Sequence, residues 1–380
     1  MDFALTPEQT LIRQTAAEIA QRELAPQAAA LDIQGGFPRE AIRKLAGAGL
    51  LGMTIPPAYG GSGADTLSLV LATEALAKAC ANTALVTLTH LAVGFAVTAF
   101  GTPGQKEKLL PQLARGDKLA ALVATEPDAG SNALATQTAI QAAHDGYLVN
   151  GTKAFITSSG EADLYMTLGT VDRSKGIAGL TYLLAEKDRP GLSFGRRDEG
   201  LGLNGSARGE VVFQDCAVPR ENLLGPEGGA LPVGMAAAAL AMLGAASISL
   251  GLAQAALDAS IQHCKERVVA GQPLGAYQGL QFLISDMSAQ VDAARSLLYH
   301  AVFLKDTVPG PPLAAFKAKL FATEMAVRVT DQALQLHGAH GYSRELPVER
   351  YYRDARGMTL HFQNSEMLKE SLGKMLLGLM

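Results

Sequence analysis

A mostly helical α+β fold, with an antiparallel β-domain set between two helical domains, is predicted by three changes of texture along the 380-residue chain. Capped helical patterns fill residues 1–118, short strand-like runs with turn dipeptides fill 119–226, and long helical patterns return over 227–380. The length supports this division, because single cores stop growing at roughly 250–300 residues.

The first helix starts at "TPEQ" (6–9), where Thr6 is an N-cap, Pro7 takes the first helical position and Gln9 completes a capping box. Helices are expected next at about 38–47, 66–79, 82–100 and 103–115, with "TIPPAYGGSG" (54–63) as a loop. In the middle domain, "ALVATEP", "GYLVNG", "KAFITSS", "LYMTLGTV" and "GEVVFQDCAV" read as strands, with "DG" (145–146) and "NG" (150–151) as hairpin turns. Beyond Pro226 the helical patterns cover 229–268, 277–306, 312–336 and 362–378, separated by "VPGPPL" (308–313) and "HGAHGY" (337–342).

Composition excludes several classes. A net charge of −4 leaves no electrostatic claim on nucleic acid or an anionic membrane surface. Cys80, Cys216 and Cys264 are odd in number and far apart, which makes neither a disulfide framework nor a metal-ligand spacing. With no basic stretch and apolar run at its start, the chain is expected in the cytoplasm. The uncharged segment 229–257 is long enough to span a bilayer, but its Ala, Gly and Ser content points to close helix packing instead. Its residues Ala236–Ala239 and Ala241 serve that packing or leave room for a branched or cyclic group.

Single motifs carry little by themselves. "ATEPDAGSN" (124–132) leaves a strand for a Gly/Ser turn whose backbone N–H groups can cradle a carbonyl or phosphate, yet no βαβ unit surrounds it. His337 and His340 straddle Gly338 with no third ligand nearby, so no metal is expected. By pattern alone His90 is a core histidine, Arg267 a solvated helix charge, and Gly338 a helix end.

Together, "ATEPDAGSN", "NGTKAFITSS" (150–159), "LGLNGSARGEVVFQDCAVPRENLLG" (201–225), "ERVVAGQPLGAYQGLQ" (266–281) and "QLHGAHGYSRELPVERYYRDAR" (335–356) resemble the acyl-CoA dehydrogenase family over nearly the whole chain. The resemblance implies a tetramer of subunits, each with an N-terminal helical domain, a middle β-barrel and a C-terminal four-helix bundle, binding FAD. It also implies a glutamate that takes the α-proton of an acyl-CoA while the flavin takes the β-hydride, the electrons passing on to an electron-transfer flavoprotein. Thr125, Gly130, Ser131, Phe155, Ile156, Thr157 and Asn364 match positions at the flavin. Arg267, Leu274, Gln278, Gln335 and Gly338 match contacts to the adenosine-diphosphate part, some of them across a subunit interface. Ser131, Gly205 and Ser206 match positions near the CoA moiety.

The pattern breaks at the base. Anchored on "RDAR" (353–356), the position of the family's glutamate is Phe362, and the seat used by a minority branch falls on Ala241 and Met242. Gln363 and Asn364 replace the next glycine and threonine, Ala270 replaces a phenylalanine, and Ala339 replaces a glycine. Three readings follow: a substitute base, with His361 and His90 as candidates; related flavin chemistry without that base, such as desulfination or monooxygenation; or a half-site subunit of a hetero-oligomer whose homologous partner supplies the carboxylate.

Overall fold

The computed structural model describes residues 4–308 and 312–379, so residues 309–311 of the "VPGPPL" connection lie outside the described residues. The N-terminal helices are α1 (Pro7–Ile19), α2 (Ala28–Gln34), α3 (Arg39–Gly47), α4 (Thr66–Ala79), α5 (Ala81–Phe100) and α6 (Pro103–Arg115). Thr6 and Gln9 form the expected capping box, and Gln9 Nε2 also donates to Asp65 Oδ2 at 2.7 Å. Asp65 in turn caps α4 through the Ser68 N–H, so one cap braces another. An identical box, Thr102 with Gln105, opens α6, and Gln105 Nε2 donates to the Glu221 and Leu223 carbonyls of the sheet domain. Between α1 and α2 the helix loosens into a π-turn (Ala20–Leu24) and a 3-10 turn (Ala25–Gln27). Pro26 has no N–H to donate and its ring crowds the preceding turn.

The middle domain contains β1 (Ala120–Val123), β2 (Ala139–Ala143), β3 (Gly146–Ile156), β4 (Leu164–Thr170), β5 (Leu180–Glu186), β6 (Leu192–Arg197), β7 (Gly209–Pro219) and β8 (Leu223–Leu224). The strands run in the order β6-β7-β3-β2-β4-β5-β8, with β1 on β4. Most pairs are antiparallel as expected, but β1 and β2 each lie parallel to β4. The long crossover from β1 to β4, which contains the β2–β3 hairpin, makes the first of these possible. Strands β4 and β5 are buried on both faces. Leu164, Met166 and Leu184 pack toward Val93, Leu110, Leu113 and Val233 of α5, α6 and the following helix, while Tyr165, Leu183 and Ala185 join Val149, Val211 and Phe213 in the core of the sheet.

The expected turn at Asn150–Gly151 is not a turn. Both residues lie inside β3, where the register against β7 shifts between Val149 and Gly151. The amide of Asn150 exchanges hydrogen bonds with Asp215 across this bulge, and a Cβ on Gly151 would lie 2.5 Å from Thr138 Oγ1. The glycine answers a close approach of chains, the other common reason for its use in a strand.

The C-terminal region comprises α7 (Ala230–Glu266), a short hairpin of β9 (Val268–Val269) and β10 (Gln272–Pro273), α8 (Gln278–Thr307), α9 (Leu313–His337), α10 (Ala339–Tyr342), α11 (Val348–Met358) and α12 (Ser365–Leu376). Helix α11 was not anticipated. Helix α12 starts three residues later than expected, because Phe362 (φ 59°) and Gln363 (φ 131°) are not helical and Asn364 is the cap. Helices α5 and α7 are both long and apolar enough to cross a membrane, but their most apolar windows are 78% and 72% buried inside the protein. Small residues let α7 run close to its neighbours. A Cβ on Gly244 would lie 2.1 Å from Leu88 Cδ1 of α5, and one on Gly251 would lie 2.5 Å from the Glu74 carbonyl of α4.

Candidate active site

A cavity of about 380 Å³ opens where the sheet domain meets α5, α7 and the turn before α12. The sheet side supplies Thr125, Gly130, Ser131, Phe155, Ile156 and Thr157, and the helical side supplies Thr89, Gly234, Ala238, Met367 and the whole run Leu360–Asn364. Gly234 and Ala238, one helical turn apart on α7, present a small-residue floor.

The sheet-side wall is held by a buried ion pair that sequence reasoning passed over. Lys153 Nζ, fully buried, donates to Glu126 Oε1 at 2.8 Å and to the Ala124 carbonyl at 3.0 Å. Glu126 also accepts from Thr138 N–H, Thr138 Oγ1 and Gln137 N–H. Burial works to raise its pKa, but the ammonium and these donors outweigh it and hold the carboxyl below its usual range. Burial pushes Lys153 down to about 8, with Glu126 opposing the shift. Both residues stand inside the motifs quoted above, "ATEP" and "NGTK"; an acid and a base in apolar strands signal such a pair. A register shift between Lys153 and Ile156 then turns Phe155, at φ 56°, out of the sheet with 56% of its surface exposed.

The opposite wall is tied to the first by one side chain. Asn364 Nδ2 donates to Ser131 Oγ at 2.9 Å, while its Oδ1 accepts from the Met367 N–H and caps α12. Gln363 Oε1 is buried at the cavity with no hydrogen-bond partner. A flat aromatic group with a polar edge fits this lining. Phe155 offers a ring face, Thr125, Ser131 and Thr157 offer hydroxyls, and Gln363 Oε1 awaits a donor.

Family models agree along the chain: the acyl-CoA dehydrogenase N-terminal domain matches residues 6–117, the middle domain 121–216 and the C-terminal domain 232–377. The chain belongs to the acyl-CoA dehydrogenase family. An acryloyl-CoA reductase (NADH) of Anaerotignum propionicum is 39% identical, the match covering 97% of this chain and 94% of that protein. The structure of butyryl-CoA dehydrogenase from Megasphaera elsdenii superposes with a TM-score of 0.97 at 38% identity, covering 99% of this chain and all of the other. A chain from a study of the electron transferring flavoprotein of Acidaminococcus fermentans gives the same TM-score at 37% identity, with 99% and 100% covered.

Within this family member, the two candidate bases have different surroundings. His361 lines the cavity, and no protein hydrogen bond to its ring is present among the described residues. Burial, helped by the cations of Arg208 and Lys319, pulls its pKa down to about 4. His90 lies off the cavity and is fully buried: its Nε2 donates to the Leu113 carbonyl at 3.2 Å and its Nδ1 accepts from the Ala120 N–H at 3.1 Å. Burial lowers it to about 4 as well. Both nitrogens of His90 are thus committed to backbone, and its ring does not face the cavity. No carboxylate lines the cavity among the described residues; besides His361 its titratable side chain is Tyr182, which burial raises to about 12.

Two other expected groups lie elsewhere. Gly205 and Ser206 pack beneath α2 and α5. Ser206 is fully buried with its hydroxyl donating to the Leu203 carbonyl, and a Cβ on Gly205 would meet Leu31 at 2.5 Å. Neither residue lines this cavity. Arg267, Gln278, Gln335 and Gly338 are exposed and Leu274 half-buried, around the C-terminal ends of α7 and α9 and the start of α8. The His263 and His337 rings, 4.3 Å apart, join those two helix ends. None of these residues lines the cavity.

Proposed function

We propose that this chain is an FAD-dependent oxidoreductase acting on an acyl-CoA thioester, with His361 as the base that removes the α-proton. The observation that carries the base assignment is the placement of a half-buried imidazole in a cavity where, among the described residues, its ring has no protein hydrogen bond and the lining has no carboxylate. With its pKa near 4, His361 is neutral throughout the neutral range and about as basic as an ordinary glutamate, whose reference pKa is about 4.3. Desolvation thus matches an imidazole to the job of the carboxylate that Phe362 displaces.

FAD, when bound, supplies the hydride acceptor for the β-carbon. Phe155 would cover the ring face, Thr125, Ser131 and Thr157 its polar edge, and Gln363 Oε1 would accept from a ring N–H. Phe362 and Met367 exclude water from the reacting carbons, and Gly234 and Ala238 leave room for a short acyl group. The exposed group Arg267, Leu274, Gln278, Gln335 and Gly338 suits the adenosine-diphosphate part of FAD at a subunit interface, which supports a homotetramer. An electron-transfer flavoprotein is the expected electron acceptor and the cytoplasm the expected compartment.

The test is turnover of butyryl-CoA by the purified flavin-loaded protein with an artificial electron acceptor. His361→Ala is expected to lower kcat about 10²–10⁴-fold, the usual worth of a positioned base. Unchanged turnover would remove His361 from the mechanism. Wild-type protein that is inactive until a homologous subunit is added would favour the half-site reading, which the same lack of a carboxylate supports.

A further inference from the structure

The turn Thr359–Gln363 carries both His361 and Phe362, and its backbone is held in conformations that ordinary side chains avoid: φ 59° at Phe362 and φ 131° at Gln363. Such geometry persists only where its surroundings impose it. We infer that Lys319 is the positioning residue that imposes it: its buried ammonium bridges the two ends of the turn and thereby fixes His361 and Phe362 in the cavity. Lys319 Nζ, on α9, donates to the Thr359 carbonyl at 3.1 Å and to the Gln363 carbonyl at 2.7 Å, one at each end of the turn. Thr359 is also the C-cap of α11, so the ammonium sits at the negative end of a helix. The far side of the turn is pinned separately by Asn364 on Ser131.

Packing alone does not call for a lysine here. Its side chain is fully buried on a helix face shared with Ala315, Phe316 and Ala322, and no carboxylate lies within ion-pair distance of it among the described residues. An isolated buried ammonium is costly, and here its donors are spent on the two carbonyls that set the turn. The charged and titratable groups that act on it are Glu324 on α9, Glu366 on α12 and His361 in the turn itself. Burial pulls Lys319 down to about 8, against the two glutamates, so the clamp is charged at pH 7 and loses its charge as pH rises through 8. The charged form also disfavours an imidazolium at His361, keeping that ring neutral.

The catalytic consequence rests on the acyl-CoA reading above, so the test needs one readout that does not. In wild type, kcat on butyryl-CoA is expected to fall on an alkaline limb near pH 8. Lys319→Arg, which stays charged, moves that limb above pH 10, and Lys319→Met lowers kcat at pH 7 at least tenfold and removes the limb while bound FAD stays at the wild-type level. Independently of turnover, modification of His361 by diethylpyrocarbonate, followed on its peptide by mass spectrometry, is expected to accelerate above pH 8 in wild type and to be fast at every pH in Lys319→Met. A Lys319→Met protein with wild-type kcat, or with His361 as slowly modified as in wild type, overturns the clamp. Wild-type protein with no turnover but the predicted modification profile would leave the clamp standing and remove the acyl-CoA reading instead.

Discussion

The two walls of the cavity are built on opposite principles. On the sheet side, Glu126 and Lys153 are buried together and every oxygen of the carboxylate has a donor. On the helical side, the turn 359–363 has two strained residues, a Gln363 Oε1 with no partner among the described residues and a phenylalanine where a carboxylate is expected, and it rests on the buried ammonium of Lys319. Both walls carry a residue at positive φ, Phe155 on the sheet side and Phe362 on the helical side, but only the wall that would hold a flavin is anchored by a fully paired buried carboxylate and ammonium. Strain and unpaired groups gather where reacting atoms must be held in a particular place.

Lys153→Met should expose this contrast most strongly. It leaves Glu126 buried without its cation, and breaking such a pair costs about 3–5 kcal/mol. Urea denaturation of the variant would show the loss, together with loss of bound flavin; an unchanged midpoint would mean that the sheet-side wall does not depend on the pair.

The two histidines sharpen the comparison. His90→Ala removes a filled site and leaves the Leu113 carbonyl and the Ala120 N–H unpaired, for about 3 kcal/mol, with kcat per folded molecule unchanged. His361→Ala should do the reverse, costing under about 1 kcal/mol of stability because no protein hydrogen bond is lost. Thermal melts beside the turnover assay decide both. Since His90 titrates near 4 when folded and at about 6.5 when unfolded, its contribution is present above pH 6.5 and is lost as pH falls toward 4, by up to about 3 kcal/mol. His90→Ala should flatten that acid slope.

A third lever lies beneath the helical wall. Asp354 of α11 is buried, accepts from the Leu203 N–H at 2.7 Å, and is raised to about 7, by burial first and by Asp32 next, against the Arg350 and Arg353 cations. A carboxyl whose folded pKa is raised stabilises most below its unfolded value and loses that contribution as pH rises through 7. Asp354→Asn keeps an acceptor for Leu203 and should raise stability at pH 8 by at least about 1.4 kcal/mol, the worth of one pKa unit. Melting temperature against pH is the measurement, and a variant curve parallel to wild type would refute it.

The smallest effect is expected from Gln363→Gly. Glycine accepts φ 131° without strain, and the net gain should be about 1 kcal/mol once its extra chain entropy is subtracted. If Gln363 Oε1 meets a bound ring, flavin affinity should drop at the same time. A stabilised variant with unchanged flavin affinity would separate the strain from the contact.

What was legible beforehand followed the range of the forces involved. Capping is a matter of three residues, so Thr6 with Gln9 placed the start of α1, and helices expected at 66–79 and 103–115 occur at those residues. The change from helical to strand texture near Leu119 marked the sheet domain for the same reason. Ser131, Phe155 and Asn364, far apart in the chain but assigned to one site by motif order, share a cavity.

Where the deciding partner is distant in the chain, local pattern had no hold. Asn150–Gly151 carries a turn signal, yet pairing with Asp215 makes it a bulge within a strand. His90 is settled by the backbone of residues 23 and 30 positions away, and Lys319 by carbonyls 40 and 44 positions away. The sequence by itself determined the order of domains and the family, because both are written in neighbouring residues, and it raised the question of the base at Phe362. Only the tertiary structure decided which histidine keeps a free nitrogen and which cation shapes the turn, because burial and hydrogen-bond partners exist only once distant segments have packed.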